Sequence, residues 1–160
     1  MIKEGKIVCG FPGIGKSTYI TKNFIIGRWI DFESSNFNKN NTEWYIDYCK
    51  CVMDLVRQGY NVFCSTHAPV VKYLSENTNI NIVFPSDKIE KDWVKRLQNR
   101  YNADPSDKNK RALKFGEDYL IEAIGFLKEN YSNNENINLV EIDSIDYKLE
   151  DILNKIIGVK

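Results

Sequence analysis

One segment of the sequence has the residue types and the spacing of a phosphate-binding loop. Gly10-Phe11-Pro12-Gly13-Ile14-Gly15-Lys16-Ser17 fits G-x-x-x-x-G-K-[S/T] at every fixed position. Its glycines let a loop curl and offer successive backbone N–H groups to phosphate oxygens. A β-branched run precedes the loop and a helical stretch follows it, which is the context this motif needs. The predicted phosphate contacts are Gly13, Ile14, Gly15, Lys16, Ser17 and Thr18.

Within this loop, two side chains have distinct predicted roles. The Lys16 ammonium would reach the β- and γ-phosphates of a triphosphate, and the Ser17 hydroxyl would be a ligand of Mg²⁺. The alternative is a glycine-rich turn that matches the pattern by chance. The flanking strand and helix favour the phosphate loop.

A pair of acids follows the second predicted strand. In Asp31-Phe32-Glu33-Ser34, the two carboxylates are two residues apart, so they face the same side of an extended segment. One of them, Asp31, could hold Mg²⁺ through water, and the pair could orient or deprotonate an acceptor hydroxyl. The alternative is a polar loop that caps a helix. We expect the acceptor to lie against Asp31, Glu33 and Ser34.

Two arginines follow the fourth predicted strand. Arg96 and Arg100 are four residues apart and therefore lie on one helix face. Guanidinium groups suit a phosphoryl group in transfer, and a mobile lid can bring them in when substrates bind. A solvated basic face, shared with Lys91 and Lys95, is the alternative.

Further candidates lie close to the acidic pair. Phe37 could stack on an acceptor base, although core packing is the commoner role of aromatic residues. At the end of the third strand, Ser65 and His67 could hydrogen-bond a sugar or a base. His67 is equally well explained as a polar residue at the end of a strand.

The elements that must position these residues alternate between apolar strands and amphipathic helices. This rhythm predicts an α/β fold with a parallel sheet covered on both faces, in which ligands bind beyond the carboxyl ends of the strands. The predicted strands are 6–11, 24–31, 60–65, 80–84 and 137–142. The predicted helices are 17–23, 41–58, 68–75, 86–102, 145–157 and one that runs from 104 or 106 to about 129.

Composition limits the possible classes of protein. The 160 residues suit a single domain, and 42% of them are hydrophobic. With 22 basic and 22 acidic residues, the net charge of 0 argues against a protein that coats nucleic acid. One histidine and no C-x-x-C pair make a zinc site improbable. No apolar run is long enough to span a membrane and no signal peptide is evident, so we expect a cytoplasmic protein.

Other phosphate-loop classes lack their second motifs here. No D-x-x-G and no N-K-x-D occur, which argues against a GTPase. The third strand ends in Cys64-Ser65 without an acid, which argues against a motor-type ATPase. The small phosphotransferases remain.

Three strings together resemble the P-loop nucleoside/nucleotide kinase group, which includes the nucleoside monophosphate kinases. They are G-F-P-G-I-G-K-S, D-F-E-S-S-N-F, and I-V-F-P-S-D with the following W-V-K-R-L-Q-N-R, and the resemblance spans roughly 7–142. It implies a three-layer P-loop NTPase fold over 1–160 with strand order 2-3-1-4-5. It also implies ATP- and Mg²⁺-dependent transfer of the γ-phosphoryl group. By position, Asp31 and Glu33 would lie at the acceptor site, and Arg96 and Arg100 in a helical lid at about 86–104.

The acceptor is less well defined, because the sequence departs from the family at one place. Nucleoside monophosphate kinases carry D-G-F-P-R after the third strand, whereas this chain has Ser65-Thr66-His67-Ala68-Pro69. A (deoxy)nucleoside monophosphate is the first choice of acceptor. A hydroxyl acceptor without phosphate is the second: a nucleoside, a sugar, or a modified base or end in nucleic acid. A regulatory protein that binds ATP without transfer is the alternative from another class.

Overall fold

The structure is a computed structural model that describes residues 2–22 and 28–158. The strands are β1 (Ile7–Gly10), β2 (Trp29–Asp31), β3 (Asn61–Cys64), β4 (Ile80–Pro85) and β5 (Ile137–Ile142). The helices are α1 (Lys16–Lys22), α2 (Trp44–Arg57), α3 (Ala68–Asn77), α4 (Glu90–Ala103), α5 (Asp107–Asp118), α6 (Leu120–Tyr131) and α7 (Leu149–Ile157).

The five strands form one parallel sheet in the order β2-β3-β1-β4-β5. The register pairs Val8 with Phe63 of β3 on one side and with Asn81 of β4 on the other. At the sheet edge, Asp31 pairs with Phe63. The predicted α/β class, strand order and parallel pairing are therefore confirmed, and the carboxyl ends of all strands meet at one edge.

Helices cover both faces of the sheet. Phe63 contacts Tyr19 of α1 at a ring-centroid distance of 6.4 Å. The next residue, Cys64, lies beside Tyr48 of α2. Because successive residues of a strand point to opposite faces, α1 and α2 pack on opposite sides. All four residues of β1 are buried, as expected of a central strand in such a sheet.

Most predicted elements are present with shifted ends, and one prediction is wrong. The single helix predicted from 104 or 106 to about 129 is two helices, α5 and α6. The backbone leaves helical geometry at Tyr119, where φ is −128°, and Leu120 beyond it is buried. Residues 24–27 of the predicted second strand lie outside the described part of the chain.

Within residues 2–22 and 28–158, no helix combines the length and the apolar composition needed to cross a membrane.

Candidate functional site

The segment 10–18, which runs from the end of β1 into the first turn of α1, has the curled backbone that the sequence predicts, and we call it the glycine loop. Gly13 has a φ of +95° and Gly15 a φ of +101°, a region that residues with a Cβ rarely adopt. The turn is closed by a hydrogen bond from the Ile14 N–H to the Phe11 carbonyl, at 3.3 Å. Ile14 itself is buried in the core and anchors the loop to the sheet.

Three successive carbonyls of the glycine loop accept hydrogen bonds from other elements. Trp93 Nε1 donates to Pro12 O at 3.0 Å, and Arg96 Nη1 donates to Gly13 O at 3.3 Å. The Tyr147 hydroxyl donates to Ile14 O at 2.7 Å. Carbonyl oxygens repel phosphate, so donors that engage them favour a loop that presents its N–H groups to an anion. Burial raises the pKa of Tyr147, which keeps it a hydroxyl donor.

Arg96 is fixed in place against the glycine loop. Besides Gly13 O, its guanidinium donates to the Tyr147 hydroxyl at 2.8 Å and to Ile145 O at 2.9 Å. It also lies over the rings of Trp93 and Tyr147, at 5.2 and 5.0 Å from their centroids. The predicted lid region 86–104 is mainly α4, and Trp93 and Leu97 of this helix are buried. Arg96 is thus placed to support the loop as well as to face the site.

A cavity of about 840 Å³ opens beside the glycine loop. Its described lining includes Gly13, Gly15, Lys16, Ser17 and Thr18 of the predicted phosphate contacts. Five of its lining side chains are cationic and none is acidic, although the whole chain has a net charge of 0. Such a cavity attracts a polyanion. The five cations are Lys16, Arg96, Arg100, Lys108 and Arg111.

Glu33 is joined to Lys108, which lines this cavity. Its carboxylate Oε1 lies 2.6 Å from Nζ of Lys108 on α5, which is 75 residues later in the chain. This hydrogen bond from Lys108 lowers the pKa of Glu33, and the charge of Lys16 acts in the same direction. Glu33 thus lies within electrostatic range of Lys16.

The other predicted acceptor residues lie around the tips of β2 and β3. Asp31 is half-buried at the end of β2 and is not among the described residues that line the cavity. Ser34 is buried and opens a short 3₁₀ turn, Ser34–Asn36. Phe37 packs edge-to-face on Phe32 and Tyr48, with centroids at 5.9 and 5.4 Å, so its ring is part of an aromatic cluster.

Tyr48 ties the two strand tips together. Its hydroxyl donates to Phe32 O at 2.5 Å and accepts from the Ser65 N–H at 2.9 Å. Burial raises the pKa of Tyr48 far above its ordinary value, so the hydroxyl keeps its proton. The segments that follow β2 and β3 are thereby held at a fixed distance from each other.

Ser65 and His67 form a small polar group at the end of β3. The Ser65 hydroxyl contacts His67 Nδ1, and the His67 N–H donates to Ser65 Oγ at 3.2 Å. His67 lines the cavity, whereas Ser65 is not among the described lining residues. Burial, together with the charge of Lys39, lowers the pKa of His67. A neutral imidazole therefore faces the cavity.

The metal-binding capacity of the site is small. In the ranges that the structure describes, no group of three or more His, Cys, Asp or Glu could hold a metal ion. Mg²⁺ that arrives with phosphates needs only one or two protein oxygens, since phosphates and water complete its shell. Ser17 on the cavity wall fits that requirement. Asp31 and Glu33 lie at and just beyond the tip of β2, which is separated from β1 by β3.

Sequence reasoning missed four residues that shape this site. Trp93 and Tyr147 hold the glycine loop, and Lys108 and Arg111 bring α5 to the cavity. Lys108 and Arg111 are three residues apart and so share a helix face, a signal that was present in the sequence. The positions of Trp93 and Tyr147 in the sequence indicate only apolar packing, and nothing there predicts their hydrogen bonds to the glycine loop.

Comparison with known proteins finds no matching family model and no matching curated protein. Among solved structures, the chain is similar to the crystal structure of the SH3-kinase fragment of tight junction protein 3 in its apo-form. The TM-score is 0.51 and the sequence identity is 9%, with 98% of this chain and 56% of that chain covered. The chain thus spans about half of that fragment. At this identity the similarity concerns the fold alone.

Proposed function

We propose that this protein is an ATP- and Mg²⁺-dependent phosphotransferase. It moves the γ-phosphoryl group of ATP to a small acceptor, a (deoxy)nucleoside monophosphate. The observation that carries the proposal is the glycine loop itself. Gly13 and Gly15 have positive φ, three loop carbonyls are engaged from outside, and Lys16 lies on a cavity lined by five cations.

The roles of the residues follow from phosphoryl-transfer chemistry, which depends on positioning and on neutralising charge. The glycine loop from Gly13 to Thr18 binds the triphosphate, with Lys16 on its terminal phosphates. Arg100 lines the same cavity and neutralises charge on the group in transfer. Ser17 and, through water, Asp31 would hold Mg²⁺, which would supply positive charge to the phosphate oxygens.

The acceptor binds on the side of the cavity where Glu33 lies. Glu33 is close enough to Lys16 for that charge to lower its pKa. His67 lines the same cavity and offers its imidazole to a sugar or a base. The kinase-like fold of the structural neighbour agrees with this proposal but does not identify the acceptor.

A transfer assay tests the proposal. Radiolabelled ATP with Mg²⁺ is offered to the wild-type chain with a panel of nucleoside monophosphates and the matching nucleosides. We expect transfer to at least one monophosphate and none without Mg²⁺. Transfer to nucleosides alone would indicate the hydroxyl-acceptor alternative. Tight ATP binding without transfer to any acceptor would indicate a regulatory ATP-binding protein and would refute the proposal.

A further inference from the structure

A second cavity of about 290 Å³ lies beside the first. Thr66 and Phe115 line both cavities, so the two are contiguous. The wall of the second is largely apolar and includes Phe11, Leu127 and several aromatic side chains. A ligand that enters the cationic cavity can therefore extend into an apolar one.

One face of α5, and the face of α6 that follows it beyond Tyr119, line the two cavities. On α5, the residues at the first cavity are Lys108, Arg111, Ala112 and Phe115, which have the spacing i, i+3, i+4 and i+7. The two helices meet at Tyr119, whose N–H donates to Phe115 O and whose carbonyl accepts from the Ala123 N–H, both at 2.9 Å. From this junction onward, Tyr119, Glu122, Ala123 and Phe126 line the second cavity. We call the two faces together the α5–α6 stripe.

The first half of the α5–α6 stripe is cationic. Lys108 reaches Glu33 on the acceptor side at 2.6 Å. Arg111 has no salt-bridge partner among the described residues. The segment after β3, where the nucleoside monophosphate kinases that the sequence resembles carry an arginine, has no arginine or lysine in 65–69. Lys108 and Arg111 instead supply two cations to the cavity from α5.

The second half of the stripe is aromatic and open to solvent. Tyr119 is 53% exposed and Phe126 is 48% exposed, which is high for large apolar side chains. Phe126 packs edge-to-face on Tyr131, with centroids 5.7 Å apart, so one ring supports the other. Aromatic side chains of this kind stack on nucleobases. Glu122 is the only charged residue in the described lining of this cavity, and its carboxylate can accept from a base amino group.

We propose that the α5–α6 stripe is the acceptor site and that it binds a nucleoside monophosphate. Lys108 and Arg111 bind the acceptor phosphate, and Phe115, Tyr119 and Phe126 hold the base. This inference rests on the proposed function and deepens it by placing the acceptor. An oxygen of the acceptor phosphate forms the new bond to the γ-phosphorus while the bond from that phosphorus to the β–γ bridging oxygen breaks. The products are a nucleoside diphosphate and ADP, and an ionised acceptor phosphate has no proton to lose in this step.

Equilibrium binding tests the inference without turnover. Isothermal titration calorimetry on the full chain measures Kd for a panel of nucleoside monophosphates, for the matching nucleosides and, separately, for ATP. We expect Arg111→Met to weaken monophosphate binding about tenfold or more and to leave nucleoside binding unchanged. Phe126→Ala should weaken the monophosphate and the nucleoside alike, by about tenfold. Neither change should alter ATP binding by more than about twofold.

Matched controls lie on the same helices but away from both cavities. Lys114→Met on α5 and Ile121→Ala on α6 change exposed residues that do not line either cavity, and should leave every Kd unchanged. If Arg111→Met does not fold, as judged by circular dichroism, Lys108→Met replaces it with the same expected result.

Four results would overturn the inference. One is unchanged monophosphate binding in the Arg111 and Phe126 variants. Another is a loss of ATP binding in these variants, which would make the stripe part of the donor site. The third is a wild-type chain that binds oligonucleotides but no monophosphate. A wild-type chain that transfers phosphate to a nucleoside without binding a monophosphate would refute this inference and leave phosphotransfer intact, so the two failures are distinguishable.

Discussion

Arg96 is the residue for which the structure and the sequence lead to the most different expectations. The sequence suggests a mobile lid arginine, whereas the structure places its guanidinium between two rings and three backbone or hydroxyl oxygens. Arg96→Met retains an apolar stem and a good helix former but removes the guanidinium. We expect this change to destabilise the fold as well as to reduce phosphate transfer.

The expected loss can be estimated from the contacts of Arg96. The bonds to the Tyr147 hydroxyl at 2.8 Å and to Ile145 O at 2.9 Å each contribute about 1 kcal/mol net. The contact with the two rings adds about 0.5–1 kcal/mol. The sum is roughly 2–3 kcal/mol, which corresponds to a decrease in Tm of about 5–10 °C for a chain of this size.

Arg100→Met is the matched control, because Arg100 lies on the same helix and lines the same cavity. The Arg100 side chain forms no ion pair with any of the described residues. The free energy of unfolding of the variant should therefore stay within about 0.5 kcal/mol of the wild-type value. Urea unfolding followed by tryptophan fluorescence gives both values. Equal stability of the two variants and the wild type would refute the anchoring role of Arg96.

Three further changes test the loop, the strand tips and the histidine. Gly13→Ala should cost about 1–3 kcal/mol, because φ is +95° and a Cβ would lie 3.1 Å from Leu97 Cδ2. An unchanged urea midpoint would contradict the loop geometry. Tyr48→Phe should cost about 1–3 kcal/mol, since it leaves the Ser65 N–H and the Phe32 carbonyl without their partner. Thermal melts measure this loss, and a wild-type Tm would count against the bridge between the strand tips. Because burial lowers the pKa of His67 below 6.5, the unfolded chain binds a proton first as the pH falls. The free energy of unfolding should therefore decrease as the pH falls below about 6.5. His67→Gln should make this decrease with pH smaller. An equally large decrease in the variant would mean that His67 does not cause it.

The sequence predicted the features that depend on local pattern. The glycine loop follows from residues within one short segment, and the strands follow from runs of β-branched and apolar residues. The order of strands came from the family resemblance, and the parallel pairing from the alternation of strands and helices. The break at Tyr119 was missed because Asp118, Tyr119 and Leu120 include no glycine or proline to mark it.

The contacts that were missed all join distant parts of the chain. Lys108 meets Glu33 across 75 residues, and Arg96 meets Ile145 O across 49. Lys108 and Arg111 are exposed, so in the sequence they look like any solvated helix face. Only the fold shows that this face turns toward the glycine loop.

The most direct test of the central claim is γ-phosphate transfer by the Lys16→Ala variant, measured beside the wild type with radiolabelled ATP and a nucleoside monophosphate. Lys22→Ala, an exposed change at the end of the same helix, is the control. We predict a loss of transfer of at least about 100-fold for Lys16→Ala at an unchanged unfolding midpoint, and wild-type transfer for the control. Transfer by Lys16→Ala at the wild-type rate would contradict the account.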